Sequence, residues 1–508
     1  MHSRILLAVA FVAVRQVCTG MNFEEPKLIP AARELKFAAD RCAVLDSNTV
    51  LSVACPDALG GEWAARHFRE WFGVAPNVKA VSGGAALPDC DEAYALAADS
   101  TGVKIEARSL AGVRYAMYTL RQCAMAARGT VATRAYVLPQ VDVRDAPSVK
   151  WRGMHFCWFP ELSAEFVERE IRMAAYLKFN HVVLESWGVF KSERHPWFGW
   201  PERPMTRDVL RRLKDVADDL GVTLVPQLNA LGHAANARGR YQKHAVLDLH
   251  PERQPIFEPM GGWNWCLSNE EGMAILHDIM VEMHEAFGSP PYFHIGCDEA
   301  YQPSCPECRE GDWRDRIVRH VTGLHDLFAA RGTRLLMWHD MFVSPKDKRF
   351  GPGDGGLYGG HGELGCEKYL LKLPRDIVVC DWYYGHHVDG WRYTTHEYFH
   401  KLGFEVLACP WRETSGILGQ GREAARQGWL GFLGTSWHML TGTNYSRLFA
   451  ASAFAAWGTE PTVDLAEPEP AWFGTYWRQM GWDMGVRNYR DCGLSETQIN
   501  RGTGINLD

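Results

Sequence analysis

The chain has 508 residues, 46% of them hydrophobic and 23% charged, and a formal net charge of −7. At roughly 100–200 residues per domain, that length is two or three domains of ordinary globular composition, not a disordered chain. Basic and acidic residues are interspersed, so there is no basic stripe for nucleic acid, and no run of about 18 apolar residues offers a membrane span.

Arg4 precedes the apolar run Ile5–Val14, and small residues follow near Thr19-Gly20. This pattern predicts a secretory signal over residues 1–20, and hence export to a periplasmic or extracellular space. The competing reading is an ordinary buried segment. Residues 22–147 then alternate short strands and helices, which predicts a small α+β domain. Strands are expected at Asn48–Val53, Tyr94–Ala98 and Val103–Ala107, and helices at Glu62–Phe72 and Leu110–Ala127. In the last, Val113, Met117, Leu120 and Ala124 recur at helical spacing. Arg144-Asp145-Ala146-Pro147 is a plausible boundary.

From residue 148 to 455 the pattern becomes regular β-then-α units. Strands are predicted at Trp151–Cys157, His181–Glu185, Val222–Leu228, Tyr292–Cys297, Thr333–His339, Ile377–Trp382, Phe404–Cys409 and Leu430–Trp437. Helices fall between them at Phe166–Lys178, Arg207–Leu220, Gly272–Phe287 and Trp313–Arg331. Thr206 can cap the second of these and Gly221 can end it. Strand and helix repeats over about 290 residues predict an α/β fold of the TIM (β/α)8 barrel type. An open doubly wound sheet competes, but no glycine fingerprint for a dinucleotide follows the first strand. Residues 456–508 read as a helical or irregular extension.

Active sites of such barrels form where the strands end. The predicted strand ends carry His155, Glu185 and Trp187, then Asn229 to His233, then His294 to Glu299. Trp338-His339-Asp340, Asp381-Trp382-Tyr383-Tyr384, Trp411-Arg412-Glu413 and Ser436-Trp437-His438 follow. Each residue alone has a bland reading: a Trp packs and an Asp caps the next helix. Together they make a rim that can stack a sugar ring, bind its hydroxyls and supply acids. Metal chelation by His233, His294, His339 and Asp340 is the rival. It is weakened by the lack of a His-x-His on the first strand and by the interleaved tryptophans. No metal and no cofactor are therefore expected.

The chain holds 14 Cys, most of them single in predicted elements (Cys157, Cys266, Cys297, Cys380, Cys409). These read as buried thiols, not a disulfide framework. Cys305-Pro306-Glu307-Cys308 is half a zinc site with no second half in view, so a local disulfide or two free thiols is expected.

Phe293-His294-Ile295-Gly296-Cys297-Asp298-Glu299 resembles the His-x-Gly-Gly-Asp-Glu signature of family 20 glycoside hydrolases, the β-N-acetylhexosaminidases. Trp151-Arg152-Gly153 resembles the segment whose Arg holds sugar hydroxyls, and Gly232-His233 the Pro-Gly-His turn. Gly112 to Gln122 looks like the helix of the small domain before the barrel. Cys297 for the second Gly, Trp338-His339-Asp340-Met341 and Gly434-Thr435-Ser436-Trp437 are similar to the hexosaminidase D-like subgroup. The family's Tyr after Pro-Trp on strand seven is replaced by Arg412, with Tyr384 as the substitute. His438 stands where a Glu is usual.

The resemblance implies a retaining exo-hydrolase acting on terminal β-linked GlcNAc or GalNAc of glycans or glycoconjugates, in which the substrate's own acetamido oxygen attacks C1. Glu299 would be the general acid and base, with its pKa raised by burial and by Asp298. Asp298 would orient the acetamido group and stabilise the oxazolinium charge. Both reach one pocket only if the strand ends or twists at Asp298. Arg152, His233, Trp338, Asp340, Trp382, Tyr384 and Trp437 would bind substrate, and Glu185 and His294 would help orient Glu299. Two other readings stand beside this one: a non-catalytic sugar-binding barrel and a metal-dependent barrel hydrolase.

Overall fold

The computed structural model describes residues 22–126, 136–160, 162–200, 204–235, 246–259, 261–350, 360–386, 392–437 and 442–466. The signal-like segment, His438 and most of the C-terminal extension lie outside these. The described residues divide into two compact units, one within residues 22–148 with 176–178 and 459–466, the other over the rest.

The first unit is a six-stranded sheet with two helices packed on it. Its strands are β1 (Glu34–Leu45), β2 (Val50–Ala54), β3 (Asn77–Ala80), β4 (Tyr94–Asp99), β5 (Gly102–Ala107) and β6 (Tyr136–Asp145), in the order β1-β6-β4-β5-β2-β3. The helices are α1 (Leu59–Phe72) and α2 (Leu110–Ala126). In β4 burial alternates residue by residue, as one covered face requires. Sequence reading missed β1, β3 and β6. β1 is largely half-exposed, so it carries no clean period of two, and its register shifts between Ala38 and Cys42. β6 contains Pro139, which normally argues against a strand. Here Pro139 pairs only with β1, at that shift, while β4 pairs from Val141 onward, so its missing N–H breaks no ladder on the β4 side.

The second unit is a closed barrel of eight parallel strands. They are β7 (Trp151–Trp158), β8 (His181–Ser186), β9 (Thr223–Gln227), β10 (Tyr292–His294), β11 (Arg334–Trp338), β12 (Val378–Tyr383), β13 (Glu405–Pro410) and β14 (Gly431–Thr435). Closure between β14 and β7 excludes the open sheet. Every residue of β7 is buried, because such a barrel has a side-chain core inside and helices outside. Trp151, Val183, Val225, Leu336, Trp338, Val378, Cys380, Leu407, Cys409 and Leu433 fill the inside. The helix at Arg207–Leu220 has the predicted bounds. Thr206 accepts the Val209 N–H, and Gly221 ends the helix in the left-handed conformation. Cys42 is disulfide-bonded, while Cys157, Cys266, Cys297, Cys380 and Cys409 are buried thiols, as are Cys305 and Cys308.

Candidate active site

The expected strand Tyr292–Cys297 stops at His294. Gly296, Cys297 and Glu299 all have left-handed backbones, with φ of 63°, 69° and 50°. A straight strand would send Asp298 and Glu299 to opposite faces. The reversed twist brings both to one imidazole instead: His233 Nε2 stands 3.4 Å from Asp298 and 3.2 Å from Glu299. Left-handed non-glycine residues are strained, and strain of this kind persists only where neighbours hold it. Here Asp340 accepts the Glu299 N–H at 2.8 Å, and Trp263 Nε1 donates to the Glu299 carbonyl at 2.7 Å. Gly232 lies so close to the turn that a Cβ would meet the Asp298 carbonyl oxygen at 2.1 Å.

The two carboxylates differ. Asp298 is buried and accepts a 2.8 Å hydrogen bond from Asn229 Nδ2. The Glu299 side chain is 36% exposed, so it alone of the pair reaches open space. The expected rise in its pKa is not found. Burial does push Glu299 up, and so does Asp298, but the hydrogen bond and charge of His233, with the charge of His361, hold it below the usual value. The expectation omitted the imidazole that sits between the two acids. Asp340, by contrast, is pushed up to about 6 by burial, against the downward pull of His361 Nδ1 at 3.1 Å.

An aromatic wall adjoins the acids. Trp382 and Tyr384 stack at 4.8 Å, and Trp437 Nε1 donates to the Tyr384 hydroxyl at 2.9 Å. Trp437 lies 5.4 Å from Trp338, which lies 4.4 Å from His294. Burial, then the Glu299 charge, raises the Tyr384 phenol well above its ordinary value, so it stays neutral.

Three predicted residues act elsewhere. Arg152 opens its strand, and its guanidinium donates to the carbonyls of Val149 and Lys150 and lies over Trp457. Inward positions of β7 are the odd ones, beginning with Trp151, so Arg152 points out of the barrel, at the end opposite the rim. Glu185 faces His155 at 3.0 Å and Cys157 at 3.2 Å, and His294 Nδ1 accepts the Gly296 N–H. Among the described residues, His233, His294, His339 and Asp340 do not gather into one group of metal-ligating atoms, and His339 faces Asp381 at 3.3 Å. Sequence reading passed over Asn229, Trp263 and His361. Asn229 was visible at its strand end, four residues before His233. Trp263 and His361 lie in irregular segments with no periodicity to mark them.

This is a barrel with a carboxylate pair, an imidazole bridge and an aromatic wall at the strand ends, the makings of a carbohydrate-processing site. Residues 193–358 match the model of glycosyl hydrolase family 20, catalytic domain, and residues 25–146 match its domain 2. The chain belongs to that family. A β-hexosaminidase of Porphyromonas gingivalis is 24% identical over 290 residues, 50% of this chain and 35% of that one. A β-N-acetylhexosaminidase of Cellulomonas fimi is 26% identical over 303 residues, 54% of this chain and 55% of that one. The chain thus spans about a third to a half of these relatives. The fold resembles the exo-β-N-acetylglucosaminidase of Vibrio harveyi solved with N-acetylglucosamine, with a TM-score of 0.64 at 17% identity over 92% of this chain and 79% of that. It also resembles a β-N-acetylhexosaminidase of Bacteroides fragilis, at 0.63 and 18% over 93% and 99%.

Proposed function

We propose that this protein is a retaining exo-β-N-acetylhexosaminidase that removes terminal β-linked GlcNAc or GalNAc by substrate-assisted catalysis. The observation that carries the reading is the left-handed turn that aims Asp298 and Glu299 at one site beside an aromatic wall. Asp298, buried and fixed by Asn229, suits an ion that orients an acetamido N–H and offsets positive charge on the oxazolinium ring. Nearness of the internal nucleophile removes much of the entropic cost of attack.

Glu299 protonates the leaving oxygen and then activates water. In the free protein it is ionised beside His233, so it must take up a proton before or as substrate binds. His233 is placed to hand one over. Trp338, Trp382, Tyr384 and Trp437 form the sugar-facing wall, and Asp340 holds the Glu299 backbone. Relatives described as β-hexosaminidases support this reading. The likeness of strands five and eight to the hexosaminidase D-like subgroup supports placing it there, and the Ile5–Val14 run supports export.

The test is hydrolysis of aryl β-GlcNAc and aryl β-GalNAc by the wild type and by Glu299→Gln, with EDTA present. Turnover that survives the chelator and falls about 10²–10⁴-fold in the variant is expected. Binding of the sugars without any turnover would instead leave a sugar-binding barrel.

A further inference from the structure

The half zinc site Cys305-Pro306-Glu307-Cys308 acquires its second half in three dimensions. Cys266 Sγ lies 3.6 Å from Cys305 Sγ and 3.7 Å from Cys308 Sγ. A carboxylate oxygen of Glu258 completes a group of four donor atoms, all within 4.8 Å of one another, on four buried residues. We propose that Cys266, Cys305, Cys308 and Glu258 hold a zinc-type divalent ion in a closed, structural site, separate from the proposed chemistry at Glu299.

The spacing is that of a coordination shell. A tetrahedral ion with metal–sulfur bonds of about 2.3 Å sets its sulfurs about 3.8 Å apart. A disulfide would need about 2 Å. The surroundings suit thiolates. The Cys308 N–H donates to Cys305 Sγ at 3.2 Å, and Ser268 Oγ lies 3.1 Å from Cys308 Sγ. Such outer hydrogen bonds lower the cost of buried negative charge and orient the ligands. Glu258 Oε2 accepts the N–H groups of Ser304 and Cys305 at 2.7 and 2.9 Å, which fixes the carboxylate where it stands. Three sulfurs and one oxygen on four buried residues favour zinc over magnesium or calcium, which want six or more oxygens. Four protein ligands leave no open position for water or substrate, hence a structural role.

The ion would tie the segment from Glu258 to Cys266 to the segment that follows Glu299. Those segments already cooperate around the acid. Trp263 Nε1 donates to the Glu299 carbonyl, and Asn264 exchanges two hydrogen bonds with the backbone of Tyr301. The metal therefore acts as a clamp behind a strained turn.

The experiment is the metal content of the purified full-length chain, with and without Cys266→Ser plus Cys308→Ser. About one zinc per chain is expected in the wild type, and less than about a tenth of that in the double variant. Glu258→Gln keeps the acceptor for Ser304 and Cys305, and should weaken zinc retention by at least about tenfold. If the variants fail to fold, reduced, metal-free wild type is titrated with cobalt(II) alone. Uptake to about one equivalent, with an intense thiolate-to-cobalt charge-transfer band that zinc abolishes, supports the site. A wild type that carries no metal when purified and takes up no cobalt when reduced overturns it. So does a Cys305–Cys308 disulfide found by mass spectrometry in a chain that, once reduced, binds no metal. Each readout is independent of glycosidase activity.

Discussion

His233 Nε2 lies 3.2 Å from Glu299 Oε2 and 3.4 Å from an oxygen of Asp298, so one imidazole faces both acids of the site. The hydrogen bond and charge of His233, together with the charge of His361, outweigh burial and hold the Glu299 carboxyl below its ordinary range. His233→Ala leaves burial and Asp298 pushing Glu299 up against the charge of His361 alone. The Glu299 carboxyl should then titrate higher, read by carbon-13 NMR of the labelled carboxylate. A midpoint that stays where it was would remove His233 from this role.

The same pair makes a statement about stability. The folded chain binds Glu299's proton more weakly than the unfolded chain does. Pairing therefore favours folding above the unfolded value, and that contribution fades as pH falls through the lower folded value. Urea titrations of the wild type and His233→Ala should show a gap that narrows on acidification below about pH 4.5. Because Glu299 is over a third exposed, solvent screening keeps the gap small.

Asn229 fixes Asp298 through a 2.8 Å hydrogen bond. Asp298→Asn removes the charge and keeps the shape; kcat should fall about 10²–10³-fold, as when one electrostatic stabiliser of a transition state is lost. Asn229→Ala leaves the charge but frees its orientation, and the loss should be smaller. Equal losses in the two variants would mean that Asn229 does more than orient.

Beside the turn, Gly232 and Gly296 leave a side chain no room. A Cβ at Gly296 would meet Asn229 Oδ1 at 2.5 Å on a left-handed backbone, and one at Gly232 would meet backbone at 2.1 Å. Gly232→Ala should lower unfolding free energy by about 1–3 kcal/mol, and should reduce turnover by displacing Asp298. Thermal melts together with kinetics check this. Full activity in Gly232→Ala would show that the turn is not held as described.

Tyr384→Phe removes the oxygen that accepts the Trp437 indole N–H. The hydrogen bond should be worth about 1 kcal/mol, and a loosened Trp437 should raise KM more than it lowers kcat. The reverse pattern would place the hydroxyl in the chemistry itself.

Much of this molecule was legible in its residues. The period of the β-then-α units announced the barrel, because strands buried on both faces leave unbroken apolar runs between amphipathic helices. Thr206 and Gly221 marked the ends of one helix by local chemistry alone. The Asp298–Glu299 pair was visible as a motif at a strand end. Local pattern failed where tertiary contact decides. β6 is a strand despite Pro139, because only one neighbour pairs there. Arg152 looked like a sugar ligand until the register turned it outward at the opening of its strand. The sign of the Glu299 shift depended on His233, 66 positions earlier in sequence order. Cys266 and Glu258 join Cys305 and Cys308 only through folding, since their separations of 39 and 47 residues from Cys305 carry no periodic signal. Sequence alone determines what repeats along the chain. Electrostatics and coordination depend on distances of a few ångströms between residues far apart in sequence, and only packing sets those.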